Sequence, residues 1–202
     1  MTKKAVTADP STEQKIKDAA QRVFMRKGFS ATTTREIADE AGINNALLHY
    51  YFRSKEKLFD MVAQEQTALF FKGIFPIVND KTTSLEEKIE SMVAYYTGLL
   101  LAEPGLVLFV LSEMQNRPER ISGLMKENHG LTKAVVARQM REVRPDIHPM
   151  QLLMSMLGMI IFPFIGRVVF QESMDTDNKA FTKMLKERAE LLPALIKGMI
   201  VK

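Results

Sequence analysis

The chain has 202 residues, 46% of them hydrophobic, with 28 Lys/Arg against 24 Asp/Glu and no cysteine. This apolar content builds a substantial core and excludes disorder along the whole length; the missing cysteines exclude disulfide scaffolds, thiolate metal sites and cysteine nucleophiles, and fit a reducing cytoplasm. The formal charge of +4 is modest, and its excess sits early, with 11 Lys/Arg and 8 Asp/Glu in residues 1–60.

Residues 1–10 carry two lysines with no apolar run behind them, so they read as a flexible tail rather than a secretory signal. Ser11 and Gln14 then stand at capping-box spacing. Ile16, Ala19, Ala20, Val23 and Phe24 repeat at helical period, and Gly28 after Arg26 and Lys27 marks a helix stop. A second box, Thr33 with Glu36, opens a helix of about two turns that ends at Gly42. Asn44 caps a third helix running to about Tyr51. Ser54 caps a fourth, in which Leu58, Met61, Val62 and Leu69 keep the period.

Longer helices follow. One starts at the Ser84/Glu87 box and stops before Glu103-Pro104-Gly105; the next covers about Gly105 to Gln115. A third is predicted from Pro118 to Val143, a fourth from Pro149 to Phe170 and a last from Asp177 to Ile200, with Pro163 and Pro193 as kink sites. Period-2 stretches bounded by turn residues are missing, which predicts an all-α protein. The apolar run from Met150 to Phe170 is interrupted by Gln151, Ser155, Pro163 and Arg167, so it reads as a buried helix rather than a membrane span.

The most informative stretch is Thr33 to Lys57. Two short helices joined at Gly42 have helix-turn-helix form, in which the first crosses the DNA backbone and the second enters the major groove. Val23 and Phe24, Ile37 and Ala38, and Leu48 and Phe52 supply the three inward faces that such a bundle needs.

Residues Gly28-Phe29, Thr33-Thr34-Arg35-Glu36-Ile37-Ala38, Ala41-Gly42-Ile43, Leu48-His49-Tyr50-Tyr51-Phe52 and Ser54-Lys55-Glu56-Lys57-Leu58-Phe59 closely resemble the signature of the TetR/AcrR helix-turn-helix regulators, over about residues 12–60. The resemblance implies a three-helix DNA-binding bundle at 11–58, followed by a larger helical region at 59–202 that binds a ligand and dimerises. It places Thr33 and Thr34 near a phosphate at a helix N-terminus, and Arg35 within reach of a base edge or a phosphate. Asn44 and Asn45 open the recognition helix. Asn45 is the stronger candidate for pairing with adenine, because Asn44 reads equally as a cap. Tyr50 and Lys55 occupy positions that contact DNA in the family; a packed tyrosine and a solvated lysine are their bland alternatives. Two positions depart from the family pattern. Leu47 stands where a threonine is usual and can meet only a thymine methyl, and His49 replaces a tyrosine, so the family's operator preferences do not transfer.

Eleven of the 14 methionines fall between Met92 and Met199. Methionine lines adaptable apolar cavities, and it fills ordinary cores equally well. Candidate lining residues are Phe71, Phe75, Met92, Tyr95, Tyr96, Leu99, Phe109, Met114 and Met125, which predict a small, mainly apolar effector; Glu113, Arg117 and His129 are polar anchors or surface groups. The final two helices are too apolar to face water. They predict a homodimer through Met156, Ile160, Phe164, Val168, Met184, Leu191 and Leu195.

The expected function is therefore that of a dimeric repressor of a double-stranded, pseudo-palindromic operator, released by its effector. An activator, or a regulator that requires a corepressor, would carry the same fold. No cofactor and no metal is expected. Three histidines without partners at ligand spacing, and serines outside any nucleophile-elbow context, speak against an enzyme. The remaining alternative is a membrane adaptor using residues 150–170.

Overall fold

A computed structural model describes residues 10–128, 130 and 133–200. The described residues form helices joined by turns and loops, and they divide into two compact units, one ending at Gln66 and the other beginning at Thr67.

In the first unit, α1 (Pro10–Ala31) opens one residue before the predicted Ser11 cap and carries a break at Gly28, whose φ of 75° suits glycine. Helices α2 (Thr34–Ala41) and α3 (Asn45–Tyr51) follow, then α4 (Lys55–Lys72), inside which the boundary between the units falls. Ile16, Ala19, Ala20 and Val23 of α1 are fully buried, as are Ile37 of α2 and Leu48 of α3. Phe24, Phe29 and Phe59 pack as a ring cluster with centroids 4.8–6.3 Å apart. Removing such side chains from water contributes roughly 1.5–3 kcal/mol each, which holds these short helices where propensity alone would not.

The second unit comprises the end of α4 with α5 (Ile74–Asn79), α6 (Leu85–Ala102), α7 (Leu106–Asn116), α8 (Pro118–Glu127), α9 (Val135–Val143), α10 (Pro149–Ile165), α11 (Arg167–Ser173) and α12 (Asn178–Ile200). Helix α6 packs on α12, α10, α9 and α5, while α7 packs on α8 and α10. The Ser84/Glu87 capping box forms as predicted.

Two predicted helices are divided. The 118–143 segment ends its first helix at Glu127, and Gly130 adopts φ 65° before α9 begins. The 149–170 segment breaks at Gly166, where α10 and α11 meet at a bend of 64°. Among the described residues, no single helix is long and apolar enough to cross a membrane. Phe75, a candidate pocket residue, lies in the short helix α5.

Candidate nucleic-acid interface

The helix-turn-helix is set by three local devices. Thr33 caps α2: its hydroxyl accepts from the Glu36 amide, and Glu36 accepts in return from the Thr33 amide at 2.9 Å. Gly42 ends α2 in the left-handed region, at φ 68° and ψ 32°. Asn44 caps α3 through Oδ1, which accepts from the Leu47 amide at 2.8 Å. Leu48 is buried beneath α3.

That anchoring decides which side chains α3 presents. Asn45, Ala46, His49 and Tyr50 are exposed and follow i, i+1, i+4, i+5 spacing, which gathers them on one face opposite Leu48. Tyr50 is 55% exposed and meets Tyr51 edge-on at 5.4 Å. Leu47 is half-buried on the flank of this face rather than at its centre. Arg35, on the first turn of α2, is exposed and has no hydrogen-bond or ion-pair partner among the described residues. Thr33 is exposed and Thr34 half-buried.

Charge pairs fix α2 to α1. Glu40 accepts from Arg22 at 2.8 Å and from Arg26 at 3.4 Å, and the two guanidinium groups hold its carboxyl below the usual carboxylate range. Glu36 pairs with Lys27; this bond first, then the Thr33 amide and hydroxyl, bring its pKa down to about 2. Glu36 and Glu40 of α2 are thus committed to α1, while Arg35 stays exposed at its N-terminal end.

Lys55 is tied down more firmly than a solvated lysine. Its ammonium donates to the Phe29 and Thr32 carbonyls and lies 4.2 Å from the Phe29 ring centroid. The sequence reading passed over Arg53, an exposed cation in the turn between α3 and α4. Only its nearness in sequence to the recognition helix could have drawn attention to it.

A family model described as "Bacterial regulatory proteins, tetR family" matches residues 16–62. The helix-turn-helix segment is therefore of the TetR type. It is the DNA-binding element by which TetR-family proteins regulate transcription. The chain is similar to a probable helix-turn-helix transcriptional regulator, YttP of Bacillus subtilis, 35% identical over 88 residues that cover 41% of each chain. It is also similar to the transcriptional repressor KstR2 of Mycolicibacterium smegmatis, 27% identical over 56% of this chain and 53% of that one. The match therefore spans about half or less of these curated relatives. A TetR-like regulator from Rhodococcus sp. RHA1 superposes with a TM-score of 0.67 at 20% identity, covering 97% of this chain and all of the other, and so shares its all-helical fold.

In the second unit, the predicted pocket residues separate. Phe71 stacks on Phe75 at 5.8 Å, and Phe70 joins Phe71 to Tyr96 through contacts of 5.1 and 5.0 Å. Tyr95 meets Tyr96 edge-on at 5.3 Å, and its hydroxyl donates to the Leu69 carbonyl while accepting from the Gly73 amide. Met92 and Phe109 are buried, and Leu99 and Met125 are half-buried. Met114 is 47% exposed on α7, away from any core. Glu113 is buried against Arg120, its carboxylate 2.6 Å from the guanidinium, whereas Arg117 is half-buried and His129 lies outside the described residues.

The predicted dimer set also divides. Met156, Ile160 and Phe164 turn into the core of their own unit. On the same stretch, Met154, Phe162, Ile165, Val168 and Val169 are exposed apolar groups, with Met184, Leu191 and Leu195 exposed on α12. Helix α10 is apolar all round, so its sequence period does not say which stripe faces inward.

Proposed function

We propose that this chain is a homodimeric repressor of the TetR family that binds a pseudo-palindromic DNA operator through residues 11–58 and is released by a small, mainly apolar effector held within residues 59–202. The observation that carries the DNA reading is the exposed face of α3: Asn45, His49 and Tyr50 stand together while Leu48 fixes the helix from beneath. Asn45 matches the two edge groups of adenine, and Tyr50 and His49 suit backbone or base contacts beside it. Arg35, Thr33 and Thr34 at the start of α2, with the third ammonium proton of Lys55, are assigned to phosphates. Asn44 is assigned to capping first, since its oxygen is already committed.

Dimerisation is supported by the exposed apolar side chains of α10 to α12, which a partner would cover. Two recognition helices spaced by one helical turn of DNA would then read two half-sites. The effector reading rests on the aromatic cluster around Phe71, Phe75, Tyr95 and Tyr96, reached by the end of α4. A ligand favouring one packing of these rings would displace α4 and change the half-site spacing, by no more than its preference for that packing. Repression is the sense named for the similar KstR2.

The test is binding of the full chain to DNA from upstream of its own gene, followed by fluorescence anisotropy. Asn45→Ala and Arg35→Ala should each weaken specific binding by about tenfold or more. Unchanged affinity in both variants would remove α3 and the start of α2 from the interface.

A further inference from the structure

Arg188 on α12 is the one cation in an otherwise apolar stripe. At about 100° per residue, Met184, Leu191 and Leu195 lie within roughly 60° of it on the helix surface. Leu191 is 64% exposed, Leu195 54% and Met184 37%. Facing α10, the same arginine lines a cleft of about 580 Å³ with Met154, Met159, Phe162 and Pro163.

The position of the arginine has a local cause. Pro163 has no amide proton, so the carbonyl of Met159, four residues earlier, loses its helical donor. Arg188 supplies one: its Nη2 donates to the Met159 oxygen at 3.1 Å. The guanidinium is then held in the seam between α10 and α12 with its Nε buried and without an acceptor. No carboxylate among the described residues pairs with it, and α10 contains no acidic or basic residue at all. Arg188 is half-buried, and a charge in an apolar seam that meets only a carbonyl is stabilised when a carboxylate reaches it.

We propose that this charge is met by Glu187 of the partner subunit, so that Arg188 sets the register in which two copies pair through α10 and α12. The inference rests on the dimer reading above. Glu187 flanks the stripe one residue before Arg188. Its side chain is 59% exposed, and among the described residues its ion-pair partner is Lys183, at 3.7 Å. A two-fold axis through the stripe makes each contact twice, because the same patch faces itself. A small molecule in the cleft would leave Leu191 and Leu195 in water, whereas a second copy covers both. A polar group in an apolar seam costs stability but excludes neighbouring registers, which would bury it unpaired.

The experiment is sedimentation of the full chain at about 150 mM salt, comparing wild type, E187R, R188E and the E187R/R188E double variant. Each single variant should weaken the dimer by at least about tenfold, since like charges then face each other twice, and the double variant should return to within about threefold of wild type. A double variant no tighter than the singles, or an E187R dimer as tight as wild type, would overturn the pairing. Among the described residues, E187R alters the ion pair with Lys183, so it decides the matter even where R188E does not fold. Its loss should shrink as salt is raised to about 0.5 M. A wild-type chain that stays monomeric at micromolar concentration would remove the dimer reading itself, and this inference with it.

Discussion

The Lys55 ammonium donates to the Thr32 carbonyl at 2.9 Å and to the Phe29 carbonyl at 3.0 Å. These carbonyls lie past the break at Gly28, at the end of α1, where helical donors run out; the Phe29 oxygen also accepts from the Thr32 amide at 3.3 Å. One residue at the start of α4 therefore closes the end of α1 and keeps a third proton for an anion. Lys55→Met should lower the unfolding free energy by about 1–3 kcal/mol, since it removes two charge-assisted bonds from a partly buried setting. In the same variant, the slope of DNA affinity against salt should fall by about 1. Urea unfolding and salt titration check the two roles separately: unchanged stability removes the clamp, and an unchanged slope removes the phosphate contact.

Glu36 makes the capping box sensitive to acid. Its pKa stands at about 2 in the folded chain against an ordinary 4.5, because Lys27 and then Thr33 hold the charged form. A lowered folded pKa contributes stability that is fully present above the unfolded value and is lost as pH falls toward the folded one. The melting-temperature gap between wild type and Glu36→Gln should therefore be widest above about pH 5 and close as pH falls toward about 2. A gap that stays constant across that range would show that the carboxylate is not held by these partners.

Tyr95 and Gly73 depend on each other. The Tyr95 hydroxyl accepts from the Gly73 amide at 3.0 Å, and a Cβ built at Gly73 would stand 2.0 Å from the tyrosine ring. Tyr95→Phe should cost about 1–3 kcal/mol by leaving that amide and the Leu69 carbonyl without their partner. Gly73→Ala should cost more, because the ring itself must move. Thermal unfolding of both variants checks the order, and an alanine variant as stable as wild type would contradict the packing.

The sequence was most legible where structure is decided locally. Thr33 with Glu36, Ser84 with Glu87, and Gly42 are read within a few residues of themselves, and the structure repeats each of them. The inward faces at Val23, Phe24, Ile37, Ala38, Leu48 and Phe52 were legible for the same reason. Breaks without a proline were not: Gly130 and Gly166 interrupt segments whose apolar period continues past them. Nor was the choice between two apolar stripes on α10, where Met156 and Ile160 turn inward and Phe162 outward, because only packing against α6, α7, α9 and α12 decides it. Lys88 shows the opposite limit. Its buried ammonium bonds the Thr83 carbonyl at 2.7 Å, in a place where sequence pattern expects an exposed lysine.

Asn45 offers the sharpest test of the recognition face. Asn45→Ala should cost about 1–3 kcal/mol at the preferred site and relax a single base position in each half-site. Arg53→Ala should instead weaken all duplexes alike if that cation meets the backbone. Competition with single-base operator variants separates the two outcomes. A uniform loss for Asn45→Ala would move that residue from bases to phosphates.

The central claim is tested most directly by selecting bound duplexes from a random DNA pool with the purified chain at about 150 mM salt, where phosphate attraction alone does not dominate. The expected result is enrichment of a pseudo-palindrome whose half-sites lie one helical turn apart, or a multiple of it. A folded, dimeric sample that enriches no sequence, with or without added apolar ligands, would contradict it.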